Sequence, residues 1–204
     1  MTALPLPPGL ILAGGRSSRM GEDKSALTLG TRPMLDHILD RLKPQVSSVA
    51  LNAPAGAPNP QDLRLIADTL PGQPGPLAGV LAGLRDVTGP HLVTVPSDSP
   101  FFPQDLVARL LSATRNQQET IAIASSGGQI HPVFGLWPVS IADDLEHWIS
   151  DSQNRRVRSF LERHRMVTVD FEFVETANGP LDPFFNVNTP EDLQMAHRFA
   201  ELLT

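Results

Sequence analysis

The stretch Gly9-Leu10-Ile11-Leu12-Ala13-Gly14-Gly15-Arg16-Ser17-Ser18-Arg19-Met20-Gly21-Glu22-Asp23-Lys24 decides the fold. Its first part is a short apolar run stopped by two glycines, which reads as a buried strand. A loop follows that Gly21 closes before Lys24. Glycines let backbone N–H groups approach phosphate oxygens with no Cβ in the way. Arg16, Arg19 and Lys24 can supply positive charge to a triphosphate. Arginine grips phosphate through two parallel bonds, whereas lysine acts as a compact point charge. Taken alone, the glycines fit an ordinary surface turn with solvated basic residues equally well. Two familiar phosphate loops are excluded. No Gly-x-Gly-x-x-Gly is present, and Lys24 does not directly follow Gly21 as a P-loop requires.

Working outward, apolar runs alternate with segments of helical period. Pro33 opens a helix in which Met34, Leu35, Ile38, Leu39 and Leu42 share a face. Strands are expected at residues 46–51, ending at Asn52, and at 63–67, ending at Asp68. Residues 77–84 read as a helix whose small residues permit close approach to a sheet. Residues 91–95 read as a buried strand running into Pro96-Ser97-Asp98, and 103–111 as a helix. Strands at 121–124 and 130–136 flank a Gly127-Gly128 turn. Helices are expected at 139–149 and 157–164, an alternating strand at 167–174, and a closing helix at 190–203. Thr189 is the N-cap of that last helix, with Glu191 and Asp192 in its first turn. Strands alternating with helices predict an α/β fold, a Rossmann-like three-layer sandwich with a mostly parallel central sheet and helices on both faces.

The 204 residues suit a single domain, and 41% hydrophobic residues suffice for a packed core. A net charge of −6 disfavours a nucleic-acid binder, which needs a basic surface. The chain has no cysteine, so disulfides, thiolate metal sites and thiol nucleophiles are excluded. No apolar run approaches the ~20 residues of a membrane span, so no membrane contact is expected. Met1 to Pro8 lacks the basic-then-apolar pattern of a secretory leader, and a cytoplasmic location is expected.

Asn52, Asp68 and Asp98 each stand just after an apolar strand, as the glycine loop does. In open α/β sheets ligands bind beyond the carboxyl ends of the strands, which would gather these residues along one edge. A carboxylate at a strand end can hold Mg²⁺ while phosphate oxygens and water complete its octahedron. As bland alternatives, Asp98 could be a turn residue bonding its own backbone, and Asn52 and Asp68 could cap strand ends.

Leu12-Ala13-Gly14-Gly15-x-Ser17-x-Arg19-Met20-Gly21, followed by Asp23-Lys24, resembles the signature of nucleotidyltransferases that activate sugars, isoprenoid precursors and molybdopterin. Within that group it most resembles the molybdenum cofactor guanylyltransferases. Later blocks match in order: Pro74-Gly75-Pro76-Leu77-Ala78-Gly79, Ser97-Asp98-Ser99-Pro100-Phe101, His131-Pro132-Val133-Phe134-Gly135-Leu136, and Asn186-Val187-Asn188-Thr189-Pro190-Glu191-Asp192-Leu193. Pro96-Ser97 departs from the relatives, where a cysteine is common before the aspartate, but the carboxylate remains.

The resemblance implies transfer of GMP from GTP to the terminal phosphate of molybdenum-bound molybdopterin, with Mg²⁺ as cofactor. It implies a nucleotide site of Leu12, Ala13, Gly14, Gly15, Lys24, Asn52, Asp68, Gly79 and Asp98. Asp98 would hold the metal, Lys24 and Arg19 would act with it in catalysis, and Asn186 and Asn188 would bind molybdopterin. Residues of about 1–125 would then bind nucleotide and about 126–204 molybdopterin, within one domain. Asn186 and Asn188 would share a face if extended, and paired amides suit a pterin edge; they could equally help start the last helix. His131 reads first as a structural histidine, and the arginines at 155, 156 and 158 as solvated. Expected partners are the two substrates, with transient contact to other cofactor-biosynthesis proteins and recipient molybdoenzymes, and a monomer is the expected state. Two rivals stand beside this reading. One is a cytidylyl or sugar-phosphate nucleotidyltransferase, the other a non-catalytic GTP-binding or molybdopterin carrier module.

Overall fold

The computed structural model describes residues 5–13, 27–59, 61–69, 75–115, 117, 119–151, 153–154 and 156–200. Strands β1 (Gly9–Leu12), β4 (Val49–Asn52), β5 (Arg64–Ile66), β6 (His91–Pro96), β7 (Ile121–Ser126), β8 (Gln129–Pro138) and β9 (Met166–Asp170) form one sheet in the order β5-β4-β1-β6-β8-β7-β9. β1 pairs in parallel with β4 and β6, β4 with β5, and β7 with β9; only β8 runs against its neighbours. The antiparallel strand follows from the Gly127-Gly128 turn. Both glycines hold positive φ, at 52° and 77°, and the chain reverses there instead of crossing over.

Strand alternation sorts the apolar side chains onto two faces. Leu10, Leu12, Ile121 and Ile123 enter one core, while Ile11, Val93, Val95, Ala122 and Ala124 enter the other. The first core is covered by α2 (Pro76–Asp86), α4 (Ala142–Ser150) and α5 (Val157–Leu161). The second is covered by α1 (Met34–Leu42), α3 (Leu106–Thr114) and α6 (Pro190–Ala200). A three-layer α/β sandwich results, as the sequence predicts. In α1 the buried residues are Met34, Leu35, Ile38, Leu39 and Leu42, the face read from spacing.

Some elements differ from those expected. The strand expected over 167–174 stops at Asp170. Val174–Thr176 (β10) pairs instead with Gly179–Leu181 (β11) in a separate hairpin around Ala177-Asn178. The helix expected over 139–149 divides into a 3-10 turn, Val139–Ile141, and α4. A small hairpin of β2 (Thr28–Leu29) and β3 (Arg32–Pro33) also precedes α1, and α6 touches it where Gly30 N donates to His197 Nδ1 at 3.2 Å. Among the described residues, no helix is long and apolar enough to cross a membrane.

Candidate active site

The carboxyl ends of β1, β4, β5 and β6 lie side by side, and hydrogen bonds continue past them. Ala13 N donates to Asn52 O at 3.2 Å, Ala53 N to Ile66 O at 3.2 Å, and Ser97 N to Leu12 O at 3.1 Å. The first residue of the loops leaving β1, β4 and β6 is therefore fixed by the neighbouring strand. Gly14, Gly15, Arg19 and Lys24 lie outside the described residues; Leu12 and Ala13, which precede them in the chain, end on this edge.

Asn52 and Asp68 are partners. Asn52 is only 3% exposed, and its Nδ2 donates to Ile66 O at 3.0 Å and to Asp68 Oδ1 at 2.9 Å. An amide nitrogen has two hydrogens, so both donors are used. The exposed Asp68 carboxylate keeps Oδ2 without a hydrogen bond among the described residues. The geometry thus makes Asn52 the support and Asp68 the outward-facing group. Gly79 belongs to the same knot. A Cβ there would stand 2.3 Å from Asn52 Oδ1 and 2.8 Å from Leu12 Cδ2. Only glycine lets α2 press onto Asn52 and the end of β1.

Asp98 follows β6 and is half-buried. Its backbone oxygen accepts a bond from Val187 N at 2.8 Å. Beside it the fully buried Ser99 donates through Oγ to Asn186 Oδ1, and sits 3.4 Å from Asp98 Oδ1. The acidic turn is therefore tied directly to the segment carrying the two asparagines. Asn186 and Asn188 are both exposed and flank the fully buried Val187, the arrangement expected for an extended segment. Thr189 caps α6. Its Oγ1 accepts from Asp192 N at 3.1 Å, and Asp192 Oδ2 accepts from Thr189 N at 2.9 Å and Asn188 N at 3.0 Å.

His131 is part of a chain of polar groups. Ser126 Oγ donates to Asp182 Oδ1 at 2.8 Å, and His131 Nε2 lies 2.7 Å from Ser126 Oγ. A carboxylate only accepts, so the single serine hydrogen points to Asp182, and His131 Nε2 must donate. Burial holds His131 below the usual histidine pKa; Asp182 opposes that shift and Arg158 adds to it. Ser99, Ser126 and Asp182 carry the connections here, and sequence reasoning passed over all three. Serine is too common to signal anything alone, although Ser99 did stand inside the acidic block.

Among the described residues no cluster of three or more His, Asp or Glu could cage a metal. The half-buried Asp98 carboxylate at a strand end instead fits Mg²⁺, which takes one or two carboxylates and completes its shell with phosphate oxygens and water.

The row of polar groups lies beyond the strand ends, where open α/β sheets bind their ligands. The structure superposes on molybdopterin-guanine dinucleotide biosynthesis protein A from Archaeoglobus fulgidus with a TM-score of 0.75, 24% identity, and coverage of 96% of this chain and 99% of that one. A 2-C-methyl-D-erythritol 4-phosphate cytidylyltransferase from Thermus thermophilus shares the fold at a TM-score of 0.67 and 16% identity, over 97% of this chain and 100% of that one. Residues 9–168 match the MobA-like NTP transferase domain, and the chain belongs to that family. It is 50% identical to the molybdenum cofactor guanylyltransferase of Rhizobium meliloti, covering 97% of this chain and 93% of that protein. Its identity to the enzyme of the same name from Rhizobium rhizogenes is 54%, over 96% and 93% respectively.

Proposed function

We propose that this protein transfers GMP from GTP to the terminal phosphate of molybdenum-bound molybdopterin, forming the guanine dinucleotide cofactor and pyrophosphate. One observation supports the reading: Ser99 and the Val187 amide bind the asparagine segment onto the acidic turn, which would let a donor site and an acceptor site share one wall. The names of relatives about half identical over nearly the whole chain supply the identity of the two substrates.

An acceptor phosphate oxygen attacks the α-phosphorus of GTP in line. The new O–P bond forms as the bond to the β-phosphate oxygen breaks, and pyrophosphate leaves with the electron pair. The nucleophile is already ionised, so no strong general base is needed, and positioning with charge neutralisation does the work. Asp68, braced by Asn52, faces the base or ribose. The glycine loop, Lys24 and Arg19 take the phosphates and the charge moving to pyrophosphate. Asn186 and Asn188 hold the pterin edge. Asp98 would hold Mg²⁺, which orients and neutralises phosphate oxygens when bound. Nucleotide binding then falls to residues of about 1–125 and acceptor binding to about 126–204.

Pyrophosphate release from GTP, CTP, ATP and UTP with Mg²⁺ and molybdopterin tests this reading. GTP should be preferred, and Asp98→Ala or Lys24→Ala should cut turnover by orders of magnitude while the fold survives. Full activity in either variant overturns the mechanism. A preference for CTP overturns the nucleotide assignment and leaves the reaction class standing, and no release with any nucleotide favours a carrier.

A further inference from the structure

The segment from Asp182 to Asn188 is fastened at both ends. At its far end Val187 N bonds Asp98 O, and Asn186 Oδ1 takes the Ser99 hydroxyl. At its near end Asp182 is the anchor. Its Oδ1 accepts from Phe184 N at 2.9 Å as well as from Ser126, and Phe185 N bonds its backbone oxygen at 3.0 Å. His131 closes this anchor from the sheet. Its Nε2 donates to Ser126, and its ring stands 4.6 Å from the ring of Phe184. Phe184 is itself almost fully buried, packed edge-on to Phe171 and tilted against Phe134.

Every hydrogen in the chain has one direction, from His131 to Ser126 to Asp182. A reversed serine hydrogen would leave the Asp182 oxygen facing a lone pair, so the relay has a single satisfied arrangement. Asp182 is thereby held in one rotamer, and through it the backbone leading to Asn186. The sheet strands contributing Ser126 and His131 lie on either side of the Gly127-Gly128 turn, so the hairpin sets their spacing.

We propose that His131 and Ser126 are positioning residues for the acceptor substrate, holding the asparagine segment through Asp182 in the geometry that binds molybdopterin. This rests on the reading that Asn186 and Asn188 contact that substrate. Neither His131 nor Ser126 touches a reacting atom, so the effect falls on acceptor affinity and spares the nucleotide.

Steady-state pyrophosphate release with GTP, Mg²⁺ and molybdopterin, run on the full chain, tests it. Ser126→Ala and His131→Phe should each raise the KM for molybdopterin about tenfold, the scale of one lost hydrogen bond within a charged network. The KM for GTP and kcat should stay within about twofold. His131→Gln places an amide N–H near the former Nε2 and should restore most of the lost affinity, which a loss of ring packing alone would not allow. Urea midpoints establish that each variant is folded under assay conditions. If Asn186→Ala raises the acceptor KM and the two relay variants do not, the relay is overturned and the acceptor site stands. If none of the three changes it, the acceptor-site reading falls, and the relay with it. An equal rise in both substrates' KM values, unrelieved in His131→Gln, also overturns the proposal.

Discussion

Asn52 illustrates how a buried residue can brace an outward-facing one, Asp68, in the proposed nucleotide site. Its position after a strand is legible in sequence. Its burial and its two spent hydrogens are not, because they depend on where Ile66 and Asp68 arrive from another strand. Gly79 tests the arrangement. In Gly79→Ala the new Cβ meets Asn52 Oδ1 at 2.3 Å, and Asn52 cannot swing away without breaking its bond to Asp68. Overpacking of this kind costs about 1–3 kcal/mol, against a gain of up to ~1 kcal/mol from alanine's helix propensity. Gly83, one turn later on α2, is the control. Its added Cβ would meet Leu10 and Leu92, each at 2.6 Å, and no part of the Asn52 knot. Both variants should unfold at lower urea, but only Gly79→Ala should weaken GTP binding, by tenfold or more in equilibrium titration. Equal GTP affinity in the two would mean that Asn52 does not position Asp68 for the nucleotide.

At the scale of elements, the start of α6 joins helix capping to the asparagine segment. Thr189 as N-cap was legible in Asn188-Thr189-Pro190-Glu191-Asp192, since a hydroxyl followed by an acid three residues on is a local signature. What Asp192 does beyond the helix was not legible. Its Oδ2 reaches back past the cap to Asn188 N, so one carboxylate serves both the helix and the segment before it. The two roles separate experimentally. Thr189→Ala removes the bond to Asp192 N and should cost about 1 kcal/mol of stability with little change in the acceptor KM. Asp192→Ala releases Asn188 as well, so at similar stability its KM for molybdopterin should rise several-fold. Identical acceptor KM values would confine Asp192 to capping. The hairpins at β2–β3 and β10–β11 escaped sequence reading for a related reason. Their strands are only two or three residues long, too short for a period to show.

Across the whole molecule, the layered fold was legible because seven strands and most helices each carry their own apolar pattern, and alternation along β1, β6 and β7 feeds two cores. The candidate site was legible as strand-end residues and motif blocks; its wiring was not, since Ser99 to Asn186 and Ser126 to Asp182 are long-range pairs formed only on folding. The sheet also makes the two parts proposed to bind nucleotide and acceptor one mechanical unit. β6, before the boundary near 125, pairs with β8 after it, and β7 spans the boundary while pairing with both β8 and β9. Cooperative unfolding should follow, because neither part can keep its sheet edge covered alone. Both tryptophans lie in the later part, with Trp137 fully buried under β6's Thr94, whose Oγ1 accepts its indole N–H at 2.8 Å. Their fluorescence therefore reports the part proposed to bind the acceptor, while the other part is the one proposed to bind GTP. In urea the fluorescence and far-ultraviolet circular dichroism transitions should coincide. GTP with Mg²⁺ at about 100 times its Kd should stabilise the fold by about 2.7 kcal/mol and move both curves together. A tryptophan transition that ignores GTP while the dichroism shifts would show that the halves unfold independently, and would separate the nucleotide site from the acceptor segment that Ser99 ties to it.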